Sequence, residues 1–202
     1  IADCTAVGNA GGGVYLEQAN ISLHGSRVER CRAALYGGGI EAYDRSHVDL
    51  LEGSVISDCS SGDYSGGLEL YTDCTSRMMQ SSILRCNSNN AGGLSVVYGS
   101  KLLSTNSTIQ DCHAEWGGGG FIQLDCDIQL VDVQILRCHA VFKGGGLGIW
   151  ESSTSMTGGS IGGCSAKRGG GVDAQAGEVA LVDVLIAECS ATGLTSDNEG
   201  GG

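Results

Sequence analysis

The sequence predicts an all-β fold, a right-handed parallel β-helix (a solenoid) of about eight coils, with ~26 residues and three short strands per coil. Three observations lead to this fold class. A cysteine recurs at near-constant spacing, glycine runs recur at the same period, and apolar residues between them alternate with a period of two. A helical alternative fails because each interior glycine would cost about 1 kcal/mol. The handedness follows the general rule for parallel crossover connections.

Eight cysteines mark the repeat at spacings of 25 to 28 residues. They are Cys4, Cys31, Cys59, Cys86, Cys112, Cys138, Cys164 and Cys189. From the second onward, Val or Ile stands three residues before each cysteine, and Ala or Ser stands two residues after every one. A glycine run begins five to seven residues after each of the first seven cysteines. The repeating unit reads I-x-x-C-x-A, a spacer, then G-G-G-h-x-h.

Each repeat predicts three strands in a fixed order. After the glycine run, apolar residues such as Ile40 and Ala42 alternate with polar ones, which is typical of a half-buried strand. A second strand follows a turn, as at residues 21–23 and 128–130, and the aliphatic residue before the cysteine marks the third. One coil cannot close a sheet alone, so each strand pairs in parallel with its equivalent about 4.8 Å away. We expect a single β-helix over residues 1–202, as a segment of a longer chain.

The glycine columns are expected at the corner entering the first strand. There they permit a positive φ and a close approach of neighbouring backbones.

Composition and charge exclude several classes of protein. The 202 residues include 35 glycines and no proline, whereas collagen needs glycine at every third position and abundant proline. A net charge of −12 argues against nucleic-acid binding. No apolar run approaches the roughly 20 residues that span a bilayer. The chain has no C-x-x-C, and a column presents its ligands in a line, so we expect neither a metal nor another cofactor.

The cysteine column is expected to consist mostly of reduced thiols that pack as small hydrophobic side chains. The alternative is a series of disulfides between neighbouring coils. Cys74 and Cys126 lie outside this column, at the same turn position two coils apart. Their separation of about 9.6 Å is too large for a disulfide between them. They are therefore either free thiols or thiols bonded to another chain.

The residue before each column cysteine alternates in sign over six coils, which predicts attraction between neighbouring coils. These residues are Asp3, Arg30, Asp58, Arg85, Asp111 and Arg137.

The outward positions of the first strand supply the candidate site residues. Glu41, Tyr43, Glu69, Tyr71 and Trp150 combine aromatic rings with carboxylates, a pattern that could grip a sugar chain. Glu41 and Glu69 are expected one coil apart, where like charges raise one pKa. Paired carboxylates at such spacing can also hydrolyse glycosides. The signal is weak, because many solvated strands carry two such residues, and no catalytic residue is assigned.

Two sequons predict N-glycosylation at turns. They begin at Asn20 and Asn106, and they favour an extracellular setting only mildly.

The G-G-G-h and I-x-x-C-x-A motifs, in which h is an apolar residue, resemble the G-G-A-I and F-x-x-N repeats of the polymorphic outer-membrane protein family. The resemblance covers almost the whole chain. Cysteine stands here where that family has asparagine. The resemblance implies cell-surface display, adhesion or a structural shaft. The chain is also distantly similar to the pectin-lyase-like superfamily, which includes polysaccharide lyases and hydrolases, although the catalytic motifs of those enzymes are missing.

Two functional hypotheses follow. The first is a non-enzymatic structural or adhesive segment of a cell-surface or extracellular protein, whose partners are other protein chains or flanking coils of the same chain. The alternative is a carbohydrate-binding or carbohydrate-active β-helix with a polysaccharide as its partner.

Overall fold

A computed structural model describes residues 1–8 and 10–193 of the chain. Every regular element in this part is a β-strand, and the strands form about seven coils. The prediction of a parallel β-helix with ~26 residues per coil is confirmed. A longer surface turn expected at residues 194–199 lies outside the described residues.

The strands follow one another in chain order. A two-residue strand, β1 (Thr5–Ala6), precedes the first complete coil. The first two coils contain β2 (Val14–Glu17), β3 (Asn20–His24), β4 (Arg27–Glu29), β5 (Arg32–Ala33), β6 (Ile40–Tyr43), β7 (His47–Leu51), β8 (Val55–Ser57) and β9 (Ser60–Ser61). The next three contain β10 (Leu68–Tyr71), β11 (Thr75–Met79), β12 (Ser82–Leu84), β13 (Leu94–Val97), β14 (Lys101–Thr105), β15 (Thr108–Gln110), β16 (His113–Ala114), β17 (Gly120–Gln123), β18 (Asp127–Val131), β19 (Gln134–Leu136) and β20 (His139–Ala140). The last two contain β21 (Leu147–Trp150), β22 (Ser153–Thr157), β23 (Ser160–Gly162), β24 (Ser165–Ala166), β25 (Val172–Gln175), β26 (Glu178–Val182), β27 (Leu185–Ala187) and β28 (Ser190–Ala191).

Three parallel sheets of seven strands each run along the solenoid. The first sheet has the order β2-β6-β10-β13-β17-β21-β25, and the other two stack the second and third strands of each coil in the same way. The register is constant, so that Leu68 pairs with Ile40 on one side and with Leu94 on the other. Most coils also have a two-residue strand after the cysteine, which forms two short sheets, β1-β5-β9 and β16-β20-β24-β28. The repeat predicts three strands per coil and does not reveal this short fourth one.

The core is one continuous cluster of aliphatic residues and cysteines. Leu68 and Leu70 of the first sheet and Ile83 of the third are completely buried. The column of Val and Ile three residues before each cysteine is buried from Val28 to Ile161. Burial of apolar surface contributes about 25 cal/mol per Å², so these columns supply most of the stabilisation.

The glycine runs are needed mainly because the backbones of neighbouring coils approach each other closely there. A positive φ is the reason at only some of these glycines. Within the runs, only Gly144 and Gly169 have a positive φ. A Cβ atom on Gly119 would lie 2.6 Å from the carbonyl oxygen of Gly146 and 2.9 Å from Cγ2 of Ile135. Of the two expected roles of these columns, close approach is therefore confirmed, whereas a positive φ is found only at Gly144 and Gly169. The coils are so close there that no side chain fits.

Positive φ is found instead at the corner before each column cysteine. Asp3, Arg30 and Asp58 have φ values of 56°, 54° and 56°, and the equivalent Gly163 has 62°. A left-handed conformation costs a residue other than glycine roughly 1–2 kcal/mol, which packing of the neighbouring coils must offset. The uncharged Gly163 in this column is the residue type that this backbone conformation prefers.

The charged residues at this corner form pairs as predicted. The Nε of Arg30 donates to Asp3 at 2.7 Å, that of Arg85 to Asp58 at 2.7 Å, and that of Arg137 to Asp111 at 2.8 Å. Each arginine contacts the aspartate of the preceding coil, so the column contains three separate ion pairs. The arginine hydrogen bond lowers the pKa of each aspartate below its usual range.

Replacing a glycine at the close contact between coils should destabilise the fold. We expect Gly119→Ala to lower the free energy of unfolding by about 1–3 kcal/mol, because the new methyl group overpacks the core against Ile135. Equilibrium urea denaturation measures the change. The matched control is Gly8→Ala, where an added Cβ has no atom within 4 Å, and it should change stability by less than about 0.5 kcal/mol. Equal stabilities of the two variants would contradict the close-approach explanation.

Candidate functional site

Six tyrosines lie together along the outer side of the first sheet. Three occupy strands of this sheet, two precede a glycine run, and one follows a strand. We call this group the tyrosine face: Tyr15, Tyr36, Tyr43, Tyr64, Tyr71 and Tyr98. The constant register places equivalent residues of β6 and β10 beside each other, so Tyr43 pairs with Tyr71 and Glu41 pairs with Glu69.

The rings of the tyrosine face contact one another across coils. The ring centroids of Tyr43 and Tyr71 are 5.8 Å apart, and those of Tyr36 and Tyr64 are stacked at 4.9 Å. Tyr71 also meets Tyr98 edge to face at 5.0 Å. Such aromatic pairs are worth about 0.5–1.5 kcal/mol each beyond the area that they bury. Because Tyr36 and Tyr64 also contact Tyr71, all of these tyrosines except Tyr15 form a connected aromatic surface.

Glu41 and Glu69 are buried, with exposed fractions of 5% and 0%. The expectation that they project into solvent from the outer side of the sheet is wrong. The segments before the glycine runs fold over this side, and the N–H of Gly37 donates to Oε2 of Glu69 at 2.9 Å. Glu41 Oε2 and Glu69 Oε1 have no hydrogen-bond partner among the described residues.

Burial changes the acidity of both glutamates. Desolvation raises the pKa of Glu41 to about 7, although a hydrogen bond from the backbone of Gly11 opposes the change. Desolvation also raises the pKa of Glu69 well above its usual value, and the nearby charge of Glu41 acts in the same direction. The two groups therefore take up protons at a higher pH than exposed glutamates do.

A cavity of about 280 Å³ opens at the tyrosine face and is lined by Tyr15, Tyr36, Glu41, Tyr43 and Tyr71. Its walls are aromatic rings, and one carboxylate lies among them. Glu69 does not line this cavity and has no exposed surface. Hydrolysis of a glycoside by a carboxylate pair needs both groups at the substrate. The geometry therefore favours binding at this site over catalysis by Glu41 and Glu69.

Trp150 is not part of this site. In register it lies three coils beyond Tyr71, a distance of about 14 Å along the solenoid. Its ring is 5.9 Å from that of Trp116 and 5.6 Å from that of Phe121, and Nζ of Lys143 lies 5.1 Å from its centroid. Of the five predicted binding residues, Glu41, Tyr43 and Tyr71 therefore line the cavity, Glu69 is buried outside it, and Trp150 belongs to a separate aromatic cluster.

Sequence reasoning did not single out Tyr36, Tyr64 and Trp116. Each lies four or five residues after a column cysteine and one or two residues before a glycine run. When equivalent positions of this spacer are aligned between coils, several coils have an aromatic residue at the same place. That repeated aromatic position is the signal that identifies the cover over the first sheet.

Comparison with known families tests the fold independently of the coordinates. A family model described as "Right handed beta helix region" matches residues 1–135. The chain belongs to the right-handed β-helix family. No curated protein and no solved structure gave a match. Among the described residues of this β-helix, no helix is long and apolar enough to cross a membrane.

The two cysteines outside the column are buried in the β-helix. Cys74 and Cys126 are 0% and 2% exposed, and all ten cysteines of the chain have free thiols. The backbone N–H of Cys74 donates to Oγ of Ser100 at 3.0 Å, and that of Cys126 to Oγ of Ser152 at 3.2 Å. Cysteine and serine thus alternate at one interior corner. Burial favours the free-thiol alternative, because a bond to another chain needs an exposed sulfur.

The two sequon asparagines are exposed on the β-helix. Asn106 lies at the turn between β14 and β15 with a φ of 49°, as predicted. Asn20 is the first residue of β3 and does not lie in a turn. Both side chains are accessible to modification.

No metal site is evident in residues 1–8 and 10–193, where no group of three or more His, Cys, Asp or Glu side chains is placed to hold an ion.

The raised pKa of Glu69 makes stability depend on pH. Because the native state binds this proton more tightly than the unfolded chain does, stability falls as the pH rises above the ordinary glutamate pKa of about 4.3. We expect Glu69→Gln to remove this loss. Its stability relative to the wild type should grow between pH 5 and pH 8, by up to about 1 kcal/mol per pH unit in urea denaturation.

The control for this series is Glu115→Gln, which removes an exposed glutamate. It should follow the wild-type curve at every pH. Parallel pH curves for Glu69→Gln and the wild type would contradict a raised pKa of the buried Glu69.

Proposed function

We propose that this β-helix is a non-enzymatic structural or adhesive segment of an extracellular or cell-surface protein. The observation that carries the proposal is the unbroken register of three sheets over seven coils. A catalytic centre needs several chemical groups at one accessible place. Among the described residues of the first sheet, the paired carboxylates are Glu41 and Glu69, which are buried. The exposed sequon residues Asn20 and Asn106 agree with an extracellular location.

The partners in this proposal are further coils of the same kind, in the same chain or in another. Such pairing would cover aliphatic residues of the last described coil, which are exposed although their equivalents one coil earlier are buried. Leu181 is 41% exposed and Ile186 is 45% exposed, whereas Met156 and Ile161 are completely buried. An unpaired strand edge with apolar side chains promotes pairing with another strand.

Stacking between coils of different molecules is tested by self-association of the segment. We expect the weight-average mass in sedimentation equilibrium to rise with concentration, because the edge strands β26 and β27 can pair with a second copy. The double variant Val182→Lys and Leu185→Lys puts two charges on this edge and should remain monomeric.

The matched control is Val131→Lys, which changes the residue equivalent to Val182 in an interior coil. It should associate like the wild type. A wild-type segment that stays monomeric at all concentrations would contradict stacking between chains.

Carbohydrate binding is the second candidate function, and the exposed aromatic surface favours it. Tyr15 and Tyr98 are 43% and 46% exposed, and the cluster around Trp150 continues along the same sheet. Tyrosine and tryptophan offer an apolar face and a polar tip, which suits them to ligands that are partly apolar and partly hydrated. A polysaccharide extended along the solenoid would contact both aromatic groups.

A glycan array tests the second candidate. If it is correct, the segment binds a polysaccharide saturably, and Tyr71→Ala weakens binding on the order of tenfold by removing the ring that links the tyrosine face. Leu103→Ala, an exposed apolar residue on the second sheet, is the control and should bind normally. Absence of binding across plant, algal and bacterial polysaccharides would exclude this candidate.

A further inference from the structure

The cavity at the tyrosine face contains a feature that neither coil stacking nor a sugar-binding surface requires. Glu41 lines the cavity and is only 5% exposed. Its Oε2 atom has no hydrogen-bond partner in the described part of the chain. A buried polar atom without a partner costs about 1–3 kcal/mol, and an ionised one costs more. A positive charge in the cavity would offset part of the cost of ionising this carboxyl group.

No positive side chain of the described residues supplies the missing partner. The ion pairs of the described residues involve neither Glu41 nor Glu69. The nearest arginine in sequence, Arg45, is held by Asp44 at 2.9 Å. The electrostatics of the cavity therefore favour a cation that comes from outside the described chain.

The walls of the cavity restrict the kind of cation. Tyr15, Tyr36, Tyr43 and Tyr71 line it, and the face of an aromatic ring attracts a cation electrostatically. Alkylated ammonium groups suit such rings, because they combine a positive charge with an apolar surface and lose little hydration. A bare metal ion fits poorly, because it needs several oxygen or nitrogen ligands and, among the described residues that line the cavity, only Glu41 carries a carboxylate.

The size of the cavity fits a headgroup better than a larger molecule. Its volume of about 280 Å³ lies just below the 300 Å³ at which pockets for drug-sized ligands begin. We propose that the cavity formed by Glu41 and the four tyrosines Tyr15, Tyr36, Tyr43 and Tyr71 binds a small alkylammonium group. This site goes beyond the structural role, because coil stacking does not use it.

Comparison of a cationic ligand with its neutral isostere tests the proposal. Calorimetric titration at pH 8, where the carboxylate of Glu41 is largely ionised, uses choline and 3,3-dimethyl-1-butanol, which has the same shape without the charge. Choline should bind saturably and on the order of tenfold more tightly than the alcohol. Nε-trimethyllysine in a third titration distinguishes a choline headgroup from a methylated protein side chain as the source of the ligand.

Three variants locate the site. Glu41→Gln keeps the shape but removes the charge, and Tyr43→Leu keeps an apolar wall but removes a ring, so each should weaken choline binding on the order of tenfold. Glu69→Gln changes the neighbouring buried carboxyl group, which does not line the cavity, and should leave the affinity within about threefold. Circular dichroism checks that each variant is folded.

Saturable choline binding that is lost in both cavity variants supports the proposal. Equal affinity for the neutral alcohol, no saturation by choline, or wild-type affinity in Glu41→Gln overturns it. If Glu41→Gln does not fold, Tyr43→Leu and the isostere comparison still decide. The sedimentation experiment is independent of these titrations, so failure of the structural role and failure of the cation site can be told apart.

Discussion

The close approach of successive coils at the glycine runs is the constraint on which the rest of the structure depends. Each coil must bring its backbone back to hydrogen-bonding distance from the coil before it, as where the N–H of Gly119 donates to Gly146 at 3.0 Å. The side chains of Ile135 and Cys138 fill the space opposite Gly119, so a Cβ at this position has no room. Because this contact fixes where each coil lies on the next, it sets one register for all three sheets. That register determines which side chains stack in every other column.

The same constraint explains why the outer side of the first sheet differs from a solvated β-surface. The chain leaves each column cysteine at one corner and must return to the first sheet at the glycine run, and its path carries Tyr36 and Tyr64 across the outer side. Glu41 and Glu69 become buried under this cover. The outward strand position that carries Glu41 and Glu69 is therefore buried in the folded coil. This burial raises the pKa of both carboxyl groups.

The sequence alone predicts features that depend on which residues share a column, and it fails for features that depend on the path of the connecting segments. The charge pairs at Asp58 and Asp111 require only the period, and the structure confirms them. The burial of Glu41 depends on where the spacer before the glycines runs, which its length does not specify. Trp150 was grouped with the tyrosines by its position in the strand, although counting coils separates it from Tyr71.

The buried column cysteines pack in the core, and their thiols also contact backbone carbonyl groups. The thiol of Cys59 lies 3.2 Å from the carbonyl oxygen of Ser57, and those of Cys86 and Cys112 lie 3.4 Å from the carbonyl oxygens two residues before them. Each of these carbonyl groups precedes a residue with positive φ, at the corner where the chain leaves the third sheet. A thiol is a weak donor and small enough to sit beside a glycine of the same coil. Cysteine therefore fills the core and supplies a weak polar contact to the corner. This column needs both an apolar side chain and a small donor, which explains why cysteine recurs in it.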